Sequence, residues 1–337
     1  MSITIKDVAQ RAGVNASTVS RVINSDSKLS IREETKRRVL DAIRELGYHP
    51  NSIARNLRLK TSDAIGMLIP DITNPLFPEV IKGVENLASE KDLSLILCHT
   101  WDNHEKELKM IRFLLNRRVD GLLLASVHMR AEAIEEIEKS GTPYVLVNRG
   151  NRKDVSAYVV ADNTAGAKMA VHHLIGLGHK KIAHIAGFLY TDTGLERIEG
   201  YRKELNLADI PFNSDYMVEA GYTEPEGYKA MNKLLLLPDR PTAVFAANDL
   251  LAMGAILAIH EKGLSVPEDI SVVGFDGIWL VERITPALTT VKVPLNEMGY
   301  LAMNMLFNKM KGMPVEQERI VLKPSLVVRC STDRVKS

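Results

Sequence analysis

The sequence predicts a two-part molecule: a small three-helix head containing a helix-turn-helix and a trailing hinge helix, followed by a two-lobed α/β body. Three observations predict it. The first 60 residues carry helix punctuation at helix-turn-helix spacing. From Asp63 on, short apolar runs alternate with amphipathic helical stretches. Charge is also split: residues 1–60 hold 12 Lys/Arg against 6 Asp/Glu, and the other 277 residues hold 31 against 36. A formal net charge of +1 thus conceals a basic head on an acidic body, which points to a polyanionic partner for the head alone. An ordinary solvated helical surface gives the same asymmetry often enough that charge by itself does not carry the case.

In the head, Thr4 followed by Asp7 reads as a capping-box-like start, and Ile5, Val8, Ala9 and Ala12 form one apolar stripe. Gly13 supplies the backbone freedom for a tight turn. A second helix begins near Asn15, buries Val19, Val22 and Ile23, and presents Asn15, Ala16, Ser17, Ser20, Arg21 and Asn24 on its other faces. Ser30-Ile31-Arg32-Glu33 reads as a capping box for a third helix that closes at Gly47 and buries Val39, Ala42, Ile43 and Leu46. Small Ala9 permits a close helix crossing, Gly13 makes the turn and Val19 seals the joint. The short polar side chains and the arginine of the second helix can hydrogen-bond to base edges in a major groove. A three-helix protein-interaction module is the competing reading; the scarcity of apolar anchors on that polar face weighs against it.

Lys6-Asp7-Val8-Ala9, Ala12-Gly13-Val14 and Thr18-Val19-Ser20-Arg21-Val22-Ile23-Asn24 resemble the head of the lactose/galactose-repressor (LacI/GalR) family. Gly47-Tyr48-His49-Pro50-Asn51-Ser52-Ile53-Ala54-Arg55-Asn56-Leu57 is similar to that family's hinge, and the likeness continues over essentially the whole chain. The resemblance implies a ligand-responsive transcriptional regulator, most simply a repressor, binding a palindromic double-stranded DNA operator as a homodimer. It also implies the DNA-contacting residues: Thr4, Lys6, Asn15, Ala16, Ser17, Thr18, Ser20, Arg21 and Asn24 in the head, then Asn51, Ala54, Arg55, Leu57 and Arg58 in a hinge helix over about 51–59. Pro50 ends what precedes it and Asn51 can cap a helix of about two turns, too short to be stable until docked. In the family, paired hinge helices enter the minor groove and a leucine wedges open the central base step; Leu57 occupies that position. Leu57 could instead be an exposed linker residue, but Arg55, Arg58 and Lys60, with no acid in 51–60, favour DNA.

The head is expected over 1–60 and the effector-binding and dimerisation body over 61–337. Strands are expected at Ala64–Ile69, Leu93–Cys98, Gly121–Ala125, Tyr144–Val147, Ile182–Ala186, Ala243–Ala246 and Ser271–Phe275, with helices such as Glu79–Ser89, Lys106–Leu115, Ala165–Ile175 and Leu250–Lys262 between them. This βα repetition calls for parallel sheet covered on both faces. Too many strands are present for one comfortable sheet. Two lobes (about 61–161 with 291–322, and about 162–290 with 323–337), joined by crossovers near 161, 290 and 323, resemble the periplasmic-binding-protein fold.

Ligands in such sheets bind beyond the carboxyl ends of the strands. Asp71, Asn74, Phe77, Trp101, Ser126, Asn148 and Arg149 lie there in the first lobe, and Arg197, Tyr222, Asn248 and Asp276 in the second. Asn74, Asp162 and Asp249 read equally well as helix or turn caps. Together, these carboxylates, amides and flat rings suit a polyhydroxylated ligand. The family resemblance implies that Arg197, Asn248 and Asp276 contact the effector and that Tyr222 stacks on it. Asn148-Arg149 stands where many members carry an acid, so an acidic or phosphorylated sugar fits alongside a plain sugar.

No G-x-G-x-x-G follows the first strand, and the phosphate-loop, H-E-x-x-H and G-x-S-x-G patterns are missing, so no catalytic residue and no cofactor are expected. His172, His173, His179 and His184 are read as structural rather than as metal ligands, since neighbours on a helix diverge by about 100°. No run approaches the ~18 apolar residues of a membrane span. The unpaired spacing of Cys98 and Cys330 and a charged N-terminus suit the cytoplasm. With no leucine heptad near the end, a dimer rather than a tetramer is expected. A protein corepressor, such as a phosphocarrier, remains the alternative to a small effector.

Overall fold

The computed structural model describes residues 3–23, 31–48, 61–125, 131–150 and 157–336. The expected hinge contacts Asn51, Ala54, Arg55, Leu57 and Arg58, together with Asn24 and Ser126, lie outside these residues. The chain divides into two compact units, Met1–Ser62 and Asp63–Ser337.

The first unit is built from α1 (Ile5–Ala12), α2 (Ala16–Ile23) and α3 (Glu33–Leu46). The backbone N–H and the hydroxyl of Thr4 both donate to the Asp7 carboxylate at 2.7 Å. These bonds favour the ionised acid and hold its pKa below the ordinary value. Gly13 takes the left-handed conformation (φ +63°), and Val14 N–H reaches back to the Ala9 carbonyl at 3.0 Å. Val8, Ala9, Ala12, Val19, Val22, Val39 and Ala42 form the small core. α3 starts at Glu33: Arg32 (φ −57°, ψ 134°) is non-helical, and its carbonyl accepts the Lys36 N–H at 3.1 Å. Ser30, expected to open the capping box, lies outside the described residues.

The second unit contains two sheets. The first comprises β1 (Ala64–Ile69), β2 (Ser94–His99), β3 (Gly121–Leu124), β4 (Tyr144–Val147), β5 (Tyr158–Ala161) and β11 (Arg319–Leu322), in the order β11-β5-β4-β3-β1-β2. The second comprises β6 (Ile182–Ala186), β7 (Met217–Glu219), β8 (Ala243–Ala246), β9 (Ser271–Asp276), β10 (Thr289–Lys292) and β12 (Ser325–Val327), in the order β12-β10-β9-β8-β6-β7. Every pairing is parallel except the antiparallel β10–β12. Helices α4 (Leu76–Glu90), α5 (His104–Asn116), α6 (Ala131–Ser140) and α11 (Leu295–Met310) accompany the first sheet. Helices α7 (Asn163–Gly176), α8 (Asp192–Leu207), α9 (Glu224–Leu235) and α10 (Asp249–Glu261) accompany the second.

The segments expected as plain crossovers near 161, 290 and 323 are bordered by strands β5, β10, β11 and β12. These are three or four residues long; β10, β11 and β12 include polar or charged groups (Thr289, Thr290, Lys292, Arg319, Ser325), and the apolar run of β5 is only Ala157–Ala161, so none of them stands out as a core strand. Among the described residues the chain passes between the sheets after β5, after β10 and after β11. Two of these passages touch, because Asp162 N–H donates to the Leu322 carbonyl at 2.9 Å.

The four histidines singled out from the sequence make hydrogen bonds within the second lobe. His172 bonds Glu204 at 2.8 Å and His173 bonds Thr332 at 2.9 Å. His179 bridges Thr242 at 3.0 Å, Ser271 at 3.1 Å and the Asp333 carbonyl at 3.0 Å. Fully buried His184 donates to the Phe245 carbonyl at 2.9 Å, and burial drives its pKa down to about 4, keeping it neutral.

Glycines let the paired helices meet backbone to backbone. A Cβ on Gly83 of α4 would sit 1.9 Å from the Asn296 carbonyl oxygen of α11, and one on Gly299 would sit 2.0 Å from that of Val80. Gly227 and Gly254 do the same for α9 and α10, meeting the Leu251 and Glu224 carbonyls at 2.2 and 2.0 Å. Because the obstacle is backbone, the helices must separate to admit a methyl group. Gly299→Ala should cost roughly 1–3 kcal/mol or more, lowering the body's thermal midpoint by roughly 2–10 °C. An unchanged midpoint in calorimetry would refute the close crossing.

Candidate effector cleft and nucleic-acid-binding head

Thr4 and Lys6 start α1, and Asn15 through Arg21 form the turn and body of α2. Thr4, Lys6, Asn15, Ser17 and Arg21 are exposed, and Ala16, Thr18 and Ser20 are half-buried, while Val19 and Val22 between them face the core. One side of α2 thus offers hydroxyl, amide and guanidinium groups at a major-groove helix's period.

In the body, the loops after β1, β2, β4, β6, β7, β8 and β9 converge on a cavity of about 490 Å³. Ten residues singled out from the sequence line it: Asp71, Asn74, Phe77, Trp101, Asn148, Arg149, Arg197, Tyr222, Asn248 and Asp276. Sequence reasoning missed His99, Asp102, Phe188, Thr193 and Glu226, which also line it. Thr193 and Glu226 sit in the first turns of α8 and α9, where strand-end reasoning did not look. Four lining residues (Trp101, Asp102, Asn148 and Asp276) have positive φ, between 53° and 102°. Such conformations persist where the surroundings over-determine them, and they cluster at ligand sites.

The capping readings resolve individually. Asn74 Oδ1 accepts the Leu76 N–H at 3.0 Å at the start of α4, and Asp162 accepts Ala165 N–H at 2.8 Å. Asn248 Oδ1 caps α10 through Leu251 N–H at 2.9 Å while its Nδ2 donates to the Tyr222 carbonyl at 3.1 Å. Asp249 is not a cap; its buried carboxylate accepts the Thr290 hydroxyl and, at 2.8 Å, the Ile278 N–H. Trp101 is 61% exposed and already touches two neighbours, His99 stacked at 4.1 Å and Lys106 Nζ at 3.9 Å. Tyr222 meets Phe188 edge-on at 5.6 Å, with the Arg149 guanidinium 5.3 Å from its ring.

Arg197 is the best-anchored group. Its Nε donates to Asn163 Oδ1 at 3.0 Å, Nη1 to the Ala247 carbonyl and Nη2 to Asp276 Oδ1 at 3.2 Å, and the guanidinium lies 3.7 Å over the Phe275 ring. Burial pushes Asp276 up to about 6, opposed by the charges of Arg197 and Arg149. Burial, reinforced by the Asp276 charge, pushes Asp249 up to about 8. Both acids ordinarily titrate near 3.8, so the folded state keeps protons that the unfolded chain has already released. Their stabilising contribution is complete below about pH 4 and is lost as pH rises through 6 and then 8. Asp249→Asn should therefore flatten the fall in urea-unfolding free energy between pH 6 and 8; a slope identical to wild type would exclude this assignment.

Comparison with known proteins agrees with this geometry. The model of bacterial regulatory proteins of the lacI family matches residues 4–51, and that of the periplasmic binding protein-like domain matches residues 171–332. The HTH-type transcriptional repressor PurR of Histophilus somni (strain 129Pt) is 39% identical over 330 residues, covering 97% of this chain and 98% of its own. Among solved structures, the lac repressor dimer bound to operator and the anti-inducer ONPF superposes with a TM-score of 0.89 at 28% identity, covering 99% of this chain and all of its own. The transcriptional regulator CelR–cellobiose complex gives 0.75 at 32% identity, covering 98% and 99%. With a head of that sequence pattern and a two-sheet body of that fold, the chain belongs to the lacI family of bacterial regulatory proteins.

Proposed function

We propose that this protein is a cytoplasmic repressor that binds a palindromic operator as a homodimer and whose DNA affinity is set by a small polyhydroxylated effector held in the cleft. The observation that carries this reading is the convergence of strand ends from both sheets on one cavity, in a chain whose basic head bears the family's α2. Amides, carboxylates and guanidinia there can form paired bonds to neighbouring hydroxyls, while Tyr222, Phe77 and Phe188 offer apolar surface to C–H groups. The related structures carrying cellobiose and ONPF support a sugar or sugar derivative. This is the chemistry of a binding protein rather than of a catalyst. The effector acts through its differential affinity for two arrangements of the body.

Selection from random duplexes should enrich two-fold symmetric sites. Log affinity should fall linearly with log salt, by about 0.9 per neutralised phosphate. Failure to enrich half-sites, or binding indifferent to salt, would remove the operator reading.

Tyr222→Ala should leave operator affinity without effector unchanged while weakening the effector response by about ten-fold or more. Arg197→Ala behaves differently, because it strands Asp276 as an uncompensated buried charge, at a cost of roughly 3–5 kcal/mol. It should lower the melting temperature as well. Operator titrations of Tyr222→Ala with and without effector decide the matter; an unaltered response places the ligand elsewhere.

A further inference from the structure

We propose that the effector carries an anionic group, a carboxylate or a phosphate, on its polyhydroxylated frame, and that Arg149 and Thr193 bind that group. The inference rests on reading the cleft as the effector site and adds the charge of its ligand.

Two guanidinia line the cavity, and they are in opposite states. Arg197 is engaged through all three of its nitrogens, with its charge matched by Asp276 at 3.2 Å. Arg149 is nearly as buried, its side chain only 12% exposed, yet its Nη1 makes no hydrogen bond among the described residues. The nearest carboxylate oxygen, Asp102 Oδ1, stands 3.9 Å away, beyond hydrogen-bonding reach. A buried cation with an unmet donor is costly, and an anionic oxygen satisfies both the charge and the donor.

Across the cleft, Thr193 Oγ1 is likewise buried without a hydrogen-bond partner among the described residues. It belongs to the first turn of the 16-residue α8, where aligned peptide dipoles favour negative charge. Arg149 follows β4 of the first sheet and Thr193 precedes β7 of the second, so one anion held by both ties the lobes together.

The other acids of the cavity already have partners. Asp276 pairs with Arg197 and Glu226 with Lys229 at 3.0 Å, while Asp71 accepts the Thr73 N–H and hydroxyl at 2.9 and 2.7 Å. Asn248 and the Asp276–Arg197 pair remain to meet hydroxyl groups.

The test follows thermal unfolding of the full-length protein, dialysed free of small molecules. The probes are sodium gluconate, sodium galacturonate, glucose 6-phosphate and inorganic phosphate, each against sodium chloride at equal ionic strength, with glucose and galactose as neutral counterparts. At least one anionic probe should raise the midpoint of the wild type, with the neutral sugars giving a weaker effect or none. Arg149→Gln should weaken the response by about ten-fold or more, while its ligand-free midpoint stays level or rises, because a buried guanidinium donor without a hydrogen-bond partner has been removed. Any stabilisation that Arg149→Gln retains measures general salt effects and head binding. The sugar acids against the phosphates distinguish a carboxylate from a phosphate. The proposal falls if every anion stabilises Arg149→Gln as much as it stabilises the wild type, or if no anion stabilises either. It falls too if Arg149→Gln lowers the ligand-free midpoint and leaves the anion response intact. It also falls if the neutral sugars stabilise both proteins equally, an outcome that leaves the cleft as the effector site and removes only the anion.

Discussion

The burial of one ion pair, Arg197 with Asp276, constrains the whole second wall of the cleft. Taking both charges out of water costs several kcal/mol each unless the remaining donors and acceptors are met. The fold meets them by bringing four groups from three elements to one guanidinium: Asn163 at the start of α7, the carbonyl of Ala247 after β8, the Phe275 ring in β9 and Asp276 at its end. The neighbours of these residues carry the order outward. Asn248, beside Ala247, caps α10 and holds the Tyr222 carbonyl; Asp249, next along, holds the backbone at Ile278 and the hydroxyl of Thr290 on β10. A side chain that looked like a ligand contact in the sequence is therefore first a structural clamp, and it orients the groups that the proposed effector would meet.

That clamp explains how unfavourable backbone survives beside the cavity. Asp276 has φ +102° and Gly277 follows at +75°, where a Cβ on Gly277 would meet Lys292 at 2.8 Å. Neither residue can relax without breaking the bond to Arg197 or the one from Ile278 N–H to Asp249. On the opposite wall, Asn148 at +66° ends β4 and aims Arg149 inward. Backbone fixed in this way keeps polar groups in position before a ligand arrives, which lowers the ordering cost of binding.

Much of this was legible in the sequence, because the signals are periodic or positional. Gly13 marked the turn of the head, and continuous apolar runs marked the central strands β1, β3, β4, β6, β8 and β9, which are buried on both faces. The carboxyl ends of those strands, with those of β2 and β7 and the family resemblance at Arg197, then located ten cavity residues. The short strands at and near the sheet edges were not legible, since β10 and β11 owe their place to pairing with β9 and β5 rather than to their own composition. Nor was the α3 start at Glu33, since Arg32 before it makes no capping side-chain bond. Thr193 and Glu226 were missed for a third reason: a residue in the first turn of a helix has no pattern distinguishing a ligand contact from an ordinary helix start.

Because the cleft draws on both sheets, ligand binding and lobe arrangement are one equilibrium. Reversing a 1:99 population to 99:1 requires about 10⁴-fold preferential binding, roughly 5.5 kcal/mol. Hydrogen bonds to charged groups contribute about 1.5–3 kcal/mol each, so about two to four contacts made in only one arrangement suffice. A ligand held by the second sheet alone binds both arrangements equally and shifts nothing, however tightly Arg197 and Asn248 orient it. The leverage must come from the first-sheet wall, where Asn148 and Arg149 are the inward polar groups after β4. On the proposed reading, affinity and switching are separable properties of this cavity: Arg197, bonded through all three nitrogens, orders the second-sheet wall, and Arg149, through a ligand reaching both walls, would supply the difference between two states.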